Sequence, residues 1–244
     1  MFKKAIITMV ALILVFAACS DNDNINGPSQ TIHGSGDLVS ETRDLAAFNT
    51  IVINTVAHID VTLGTGQEAI VTADDNIIEF ISTRVSDGAL YISVSDNVSI
   101  SDFTLELDLT VTDLAEVVVN SVASVVGHGS FDRDVMFFEM NSVGSIVFDI
   151  DVDEAYSANN SVGTIDLSGT ATRHYAAISS VGPIEAFDLV TDTSIVATNS
   201  VGNAYVTAND FLRATINSTG SIYYRGYPEI QLYDNSTGQL INAN

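Results

Sequence analysis

Asn120-Ser121-Val122-Ala123 returns as Asn141-Ser142-Val143-Gly144, Asn160-Ser161-Val162-Gly163 and Ser179-Ser180-Val181-Gly182. It returns again as Asn199-Ser200-Val201-Gly202, Asn217-Ser218-Thr219-Gly220 and Asn235-Ser236-Thr237-Gly238. The first residues of these seven copies are separated by 21, 19, 19, 20, 18 and 18 positions. Self-similarity at a fixed period marks an array of stacked units. After each glycine the apolar residues alternate: Ile146 and Phe148, Ile165 and Leu167, Ile184 and Ala186, Ala204 and Val206, Ile222 and Tyr224. Period-two alternation means a strand with one buried face.

A second apolar segment precedes each Asn, as in Phe138/Met140, Ala176/Ile178 and Ala214/Ile216. Its inward phase is ambiguous, because Tyr156/Ala158 and Tyr175/Ala177 fit the opposite register. Polar or Gly-containing pieces separate the two segments: Asp151 to Glu154, Gly169 to Thr172, Gly226 to Glu229. Each unit reads strand, corner, strand, tight turn. Nineteen residues at ~3.3 Å each give a path of roughly 60 Å, one flattened coil of a parallel β-helix. The expected fold class is therefore all-β, a parallel β-helical solenoid. Stacking turns Asn141, Asn160, Asn199, Asn217 and Asn235 into an amide ladder. It also places Gly144, Gly163, Gly182, Gly202, Gly220 and Gly238 in one column, where a Cβ would obstruct the turn. The small Ser and Val/Thr beside them are expected to let the sheets approach at the corner.

Residues 31–113 lack the signature but keep strand character, as in Ile51-Val52-Ile53, Ile59 to Leu63 and Leu90 to Val94. Gly64-Thr65-Gly66 and Asp87-Gly88 read as hairpin-like turns. Asp75 to Val85 reads as either a short helix or a strand pair. This part is expected to form irregular first coils and a cap, and 114–244 the regular repeats, of a single domain over 31–244.

Upstream, Lys3 and Lys4 precede the eleven-residue apolar run Ala5 to Val15, which is signal-peptide length and short of a bilayer span. The run ends in Phe16-Ala17-Ala18-Cys19, which resembles the bacterial lipobox, with Phe16 at a position usually held by Leu. The expectation is a signal peptide over 1–18, lipid attachment at Cys19 and a polar tether over 19–30. Ser20-Asp21-Asn22-Asp23-Asn24 resembles the surface-export signal of Bacteroidetes lipoproteins. That resemblance implies an outer-membrane lipoprotein exposed at the cell surface, with a periplasm-facing orientation as the alternative.

The 244 residues carry 31 acidic against 8 basic side chains, a net charge of −23, and both lysines lie in the leader. A polyanion without a basic stripe cannot neutralise phosphates, which excludes nucleic-acid binding. Hydrophobic residues make up 46%, too many for a disordered acidic tail. Cys19 is the only cysteine, so no internal disulfide forms.

Through this repeat the chain resembles the putative auto-transporter adhesin head GIN domain family, mostly lipoproteins and secreted proteins of Bacteroidetes. The family's repeated Gly-Ser-Gly turn is here Ser-Val-Gly or Ser-Thr-Gly. Further matching pieces are Gly34-Ser35-Gly36, Arg43 with Phe48-Asn49-Thr50-Ile51, Asp74 to Ile78, and Ile222 to Pro228. The resemblance covers about residues 31–242. It implies two sheets joined by tight turns, no established catalytic residues, and adhesion as the inferred role.

Chemistry-bearing motifs are sparse. His33, His58, His128 and His174 show no metal spacing such as HExxH, and a second thiolate is lacking. Asp149, Asp151 and Asp153 fall on one side of a strand, where calcium could bridge them. The stretch lacks the Gly and terminal Glu of an EF-hand, and a solvated acidic face gives the same pattern. No metal site, cofactor or catalytic residue is therefore expected, with those three aspartates as the candidate cation site. Tyr223, Tyr224, Tyr227 and Tyr233 either anchor a ligand or plug the core at the C-terminal end. The expected function is a surface adhesin or ligand-binding module taking a glycan or protein ligand, without catalytic activity. The alternatives are a carbohydrate-active β-helix enzyme and a purely structural envelope protein.

Overall fold

The computed structural model describes residues 31–96 and 98–244. The N-terminal part contains β1 (Thr31–His33), β2 (Leu38–Asp44), β3 (Thr50–Ile53), β4 (Ala57–Leu63), β5 (Glu68–Asp74), β6 (Ile81–Ser86), β7 (Ala89–Val94), β8 (Ser99–Ser101) and β9 (Leu105–Val111). The repeats follow as β10 (Glu116–Val119), β11 (Ala123–Met140), β12 (Gly144–Asn159), β13 (Thr164–Ile178), β14 (Ile184–Thr198) and β15 (Ala204–Ile216). The last pieces are β16 (Ile222–Arg225), β17 (Glu229–Asp234) and β18 (Leu240–Asn242). Together they form a parallel β-solenoid of about seven turns, ~19 residues apart.

Each long strand is one coil: it runs along a first sheet, bends at the corner and returns along a second. All repeat strands pair in parallel, in register along each sheet, with register shifts near the corner in three of the four pairings. Ile146, Ile165, Ile184, Ala204 and Ile222 therefore stack in one fully buried column. Phe148 packs against Phe131 and Phe138 at ring distances of 5.1 and 5.3 Å. In the second sheet Phe138/Met140, Ala176/Ile178 and Ala214/Ile216 point inward, which resolves the ambiguous phase and turns Tyr156/Ala158 and Tyr175/Ala177 outward.

At the N-terminal end both sheets continue into a cap. The first runs on through β4, β9, β5 and β2, the last two antiparallel, and the second through β10, β3, β7 and β6. Arg43 of β2 ties the two caps together, donating from Nη1 to the Ile81 carbonyl at 2.7 Å and from Nη2 to that of Ile78 at 3.2 Å. Asp74 accepts backbone N–H bonds from Gly36 at 2.6 Å and Thr104 at 2.7 Å. Those bonds, Thr104's first, hold its carboxyl below the usual range.

One of the two expected hairpin turns forms. Asp87-Gly88, both at positive φ, closes the β6–β7 hairpin. Gly64-Thr65-Gly66 does not close one, because β9 lies between β4 and β5. Asp75 to Val85 is a single 3₁₀ turn, Ile78–Phe80, leading into β6. Residues 31–113 also contain an eighth signature copy, Asn54-Thr55-Val56-Ala57. Ala57 is in register with Ala123, and Asn120 donates to Asn54 Oδ1 at 3.0 Å across 66 residues. The cap strands inserted after this coil break the spacing that would have revealed it.

The amide ladder continues from Asn141 to Asn120 and from Asn160 to Asn141, both at 2.9 Å. Ser179 interrupts it, and it resumes from Asn217 to Asn199 at 2.8 Å and from Asn235 to Asn217 at 3.4 Å. The valines of the signature do not fill the corner. Val56, Val122, Val143, Val162, Val181 and Val201 are 46–56% exposed, because the turn aims them outward. Of the signature glycines only Gly144 has positive φ. The others are required by close approach between coils: a Cβ on Gly182 would lie 2.0 Å from the Gly163 carbonyl oxygen.

One buried polar cluster interrupts the apolar interior. His174 is 1% exposed, and its Nε2 lies 2.8 Å from Ser157 Oγ. Its Nδ1 has no hydrogen-bond partner among the described residues. Burial pushes its pKa down to about 4.

Two outcomes follow from this packing. Gly182→Ala forces a Cβ onto backbone and is expected to destabilise by about 1–3 kcal/mol. Gly163→Ala meets the flexible Met140 thioether first, at 2.7 Å, and is expected to cost less; equal losses in urea denaturation would contradict the close-approach account. For His174 the folded pKa of about 4 lies below the unfolded 6.5. The unfolded chain thus binds a proton that the folded chain refuses. The contribution is complete above pH 6.5 and is lost as pH falls toward 4, on the order of 3 kcal/mol in all. The wild-type minus His174→Gln stability difference, measured between pH 7 and 4.5, should shrink accordingly.

Candidate functional site

The second sheet's outer face is built from positions that the core does not use. Register stacks Glu116, Phe137, Tyr156, Tyr175, Ile195 and Arg213 in one outward column. The next column toward the turn is Val118, Glu139, Ala158, Ala177, Ala197 and Thr215. Phe137 and Tyr156 stack at 4.8 Å and 17°, Tyr156 and Tyr175 at 4.5 Å and 6°. The Tyr156 hydroxyl donates to Glu154 Oε2 at 2.7 Å, on the side away from the alanines. Glu154 Oε1 also accepts from Arg173 Nε at 2.9 Å and Nη2 at 2.6 Å. Burial, then the bond to Glu154, raises the Tyr156 pKa to about 12. The bonds from Tyr156 and Arg173 lower that of Glu154.

The rings form a wall, the alanines a floor. Between them lies an open trough of about 350 Å³, lined almost wholly by apolar atoms and closed at its N-terminal end by Glu116 and Glu139. Its volume falls within the range of small-ligand sites. Phe137 is 43% exposed. This site was half visible in the sequence. Phe137, Tyr156 and Tyr175 recur every 19 residues, but the pair patterns at Tyr156 and Tyr175 look like a competing core register.

The aspartates proposed for a cation lie elsewhere, toward the corner. Asp149 accepts from Ser168 Oγ at 2.9 Å and Asp151 from Thr170 Oγ1 at 2.5 Å. Asp151 and Asp153 line a polar groove of about 370 Å³ with Asp132, Asp134 and Asp192. Among the described residues no three His, Cys, Asp or Glu side chains are arranged to hold a metal ion. His58 and His128 meet across 70 residues of chain at Asp60, with Nε2 to oxygen distances of 3.3 and 2.5 Å. Nothing in their sequence spacing announces that meeting. Cys19 lies outside the described residues.

The C-terminal tyrosines divide. Tyr224 plugs the core, Tyr223 stacks on Tyr205 at 4.8 Å on the first sheet, and Tyr227 is 89% exposed. Arg225 lies over Phe187 in the same outer cluster, 4.0 Å from the ring centre. Stacked carboxylates mark the first sheet too. Burial and then Asp188 raise the pKa of Asp166, and burial and then Asp166 raise that of Glu185.

Comparison with known proteins agrees on the fold. The family described as putative auto-transporter adhesin, head GIN domain, matches residues 47–228. A putative adhesin of Bacteroides fragilis is 25% identical with a TM-score of 0.82, covering 86% of this chain and 99% of its own. A putative lipid binding protein of Parabacteroides distasonis is 20% identical with a TM-score of 0.72, covering 88% of this chain and 100% of its own. A putative adhesin of Parabacteroides merdae is 20% identical with a TM-score of 0.66, covering 88% and 99%. Nearly the whole of each of these solved chains is this fold. No curated protein matches the chain.

The ring ladder carries its own energetic signature. Tyr156→Leu and Tyr175→Leu should be non-additive in stability, with a coupling of ~0.5–1.5 kcal/mol from the stacked pair. Additive losses in a double-mutant cycle would mean that the rings are neighbours without interacting.

Proposed function

From the premise that the chain belongs to the putative auto-transporter adhesin, head GIN domain family, we propose that it is a lipid-anchored binding module of the cell surface. It engages its ligand through the aromatic face of the second sheet and performs no chemistry on it. The observation that carries this reading is the outward-facing ladder of exposed Phe137 and half-buried Tyr156 and Tyr175 beside an alanine floor. Stacked aromatics in the open serve no core, and aromatic side chains dominate binding surfaces. The trough is lined mainly by apolar atoms, its Tyr156 hydroxyl is tied to Glu154, and its two carboxylates, Glu116 and Glu139, sit together at one end.

The anchor reading is supported by Lys3-Lys4, the short apolar run and Ala17-Ala18-Cys19. It places a diacylated cysteine at the outer membrane, with residues 20–30 as tether and the domain facing outward. Partners are then the membrane through the lipid, and a ligand on an opposing surface.

Cell fractionation and adherence test the two halves separately. Cys19→Ser should release the protein from the membrane fraction, and continued tight association would refute the anchor. Tyr156→Ser/Tyr175→Ser should leave anchoring intact and reduce adherence of expressing cells to mucin, matrix protein or other bacteria several-fold. Unchanged adherence would remove the aromatic face from the function.

A further inference from the structure

The trough's chemistry narrows what fits it. Its floor is Ala158, Ala177 and Ala197, its wall the three rings and Ile195. From Phe137 to Ile195 the coils make three steps of ~4.8 Å, a length of roughly 14 Å. The floor offers no hydrogen-bonding side chain, and the wall only the hydroxyls of Tyr156, tied to Glu154, and of Tyr175. A sugar or an extended peptide laid on the alanines would press part of its hydroxyls or amides against a floor without partners, at a cost of ~1–3 kcal/mol for each group so buried. An alkyl chain has nothing to leave unsatisfied.

The two ends are not alike. Toward the N-terminal end the run of rings gives way to Glu116, and the run of alanines to Glu139, with Val118 beyond it. Among the described residues neither is ion-paired. Each holds only a long side-chain contact, from Thr50 Oγ1 at 3.4 Å and Asn160 Nδ2 at 3.3 Å. An apolar channel that ends in two uncompensated negative charges is complementary to an apolar chain bearing a positive head.

We propose that this trough binds a single-chain amphiphile with a cationic head, the alkyl chain along the alanine floor and the head between Glu116 and Glu139. The proposal rests on the second sheet's outer face being the binding surface and specifies its ligand chemistry. A tail of about dodecyl length fills the floor, and Tyr156 and Tyr175 cover one flank.

Isothermal titration of the protein released by Cys19→Ser tests it with dodecyltrimethylammonium, dodecyl maltoside and dodecyl sulfate, each below its critical micelle concentration. One dodecyltrimethylammonium should bind, roughly tenfold more tightly than the maltoside, as two screened charge pairs would give. Dodecyl sulfate should bind least. Glu116→Gln/Glu139→Gln should erase the cationic preference, and Ala177→Trp, which fills an outward position, should abolish binding of both. Asp132→Asn/Asp134→Asn, on the corner, should change neither, which separates the site from the general attraction of a polyanion. A preference surviving in Glu116→Gln/Glu139→Gln, binding surviving Ala177→Trp, or tighter binding of dodecyl sulfate would overturn the proposal. So would self-association abolished by Ala177→Trp, which would make a second copy the occupant. Loss of adherence in Tyr156→Ser/Tyr175→Ser without amphiphile binding would refute this ligand and leave the binding face standing. Loss of neither would refute both.

Discussion

Parallel, in-register stacking is the constraint from which the rest follows. Once each coil lies on the last with a shift of about one repeat, every side chain acquires a neighbour from the equivalent position one coil away. A residue is therefore chosen for its own column. Asparagine suits a column because its amide both donates and accepts, so Asn160, Asn141, Asn120 and Asn54 satisfy one another in series. Glycine suits the turn because carbonyls of successive coils approach where a Cβ would stand, as Gly163 oxygen does beneath Gly182.

Carboxylates suit columns badly, and a chain with 31 of them must manage that. Like charges one coil apart repel at close range and raise each other's pKa. Asp149 is met by Ser168, Asp151 by Thr170 and Glu154 by Arg173. Each pairing places a donor where a second carboxylate would otherwise sit. Asp166 and Glu185 lack such a donor, and both are pushed toward the protonated form by burial and by neighbouring acids. Hydroxyls and guanidinium groups interleaved with the carboxylates thus offset part of the repulsion, while pairs such as Asp132/Asp151 and Asp166/Glu185 meet directly across the register.

The same logic explains what could be read in advance. Repeat period, coil plan and Asn and Gly columns were legible because stacking writes them into the sequence at regular intervals. The copy at Asn54 was not, because cap strands intervene between it and Asn120 and the period is lost although the contact is kept. The trough was ambiguous for a different reason. Period-two reasoning assumes that apolar residues point inward, and here Tyr156/Ala158 and Tyr175/Ala177 are apolar and point outward. The meeting of His58, His128 and Asp60 is invisible to any local pattern, since it joins two strands far apart in sequence.

That ambiguity is itself informative. The buried columns of the second sheet need Met140, Ile178 and Ile216 to fill the interior, and a fold obliged only to stay soluble would pair them with polar residues outside. On the neighbouring column it does so, with Glu154, Arg173 and Thr193. The ring and alanine columns depart from that arrangement over the same coils, and together: large side chains stack in one while the other stays small. Rings alone would read as a stabilising ladder, and alanines alone as a neutral strand surface. Side by side, and closed at one end by two acids, they leave an apolar trough in the open, which costs hydration and contributes nothing to the interior. Stacking accounts for the rings as a contribution to stability; it does not account for the row of alanines kept small beside them.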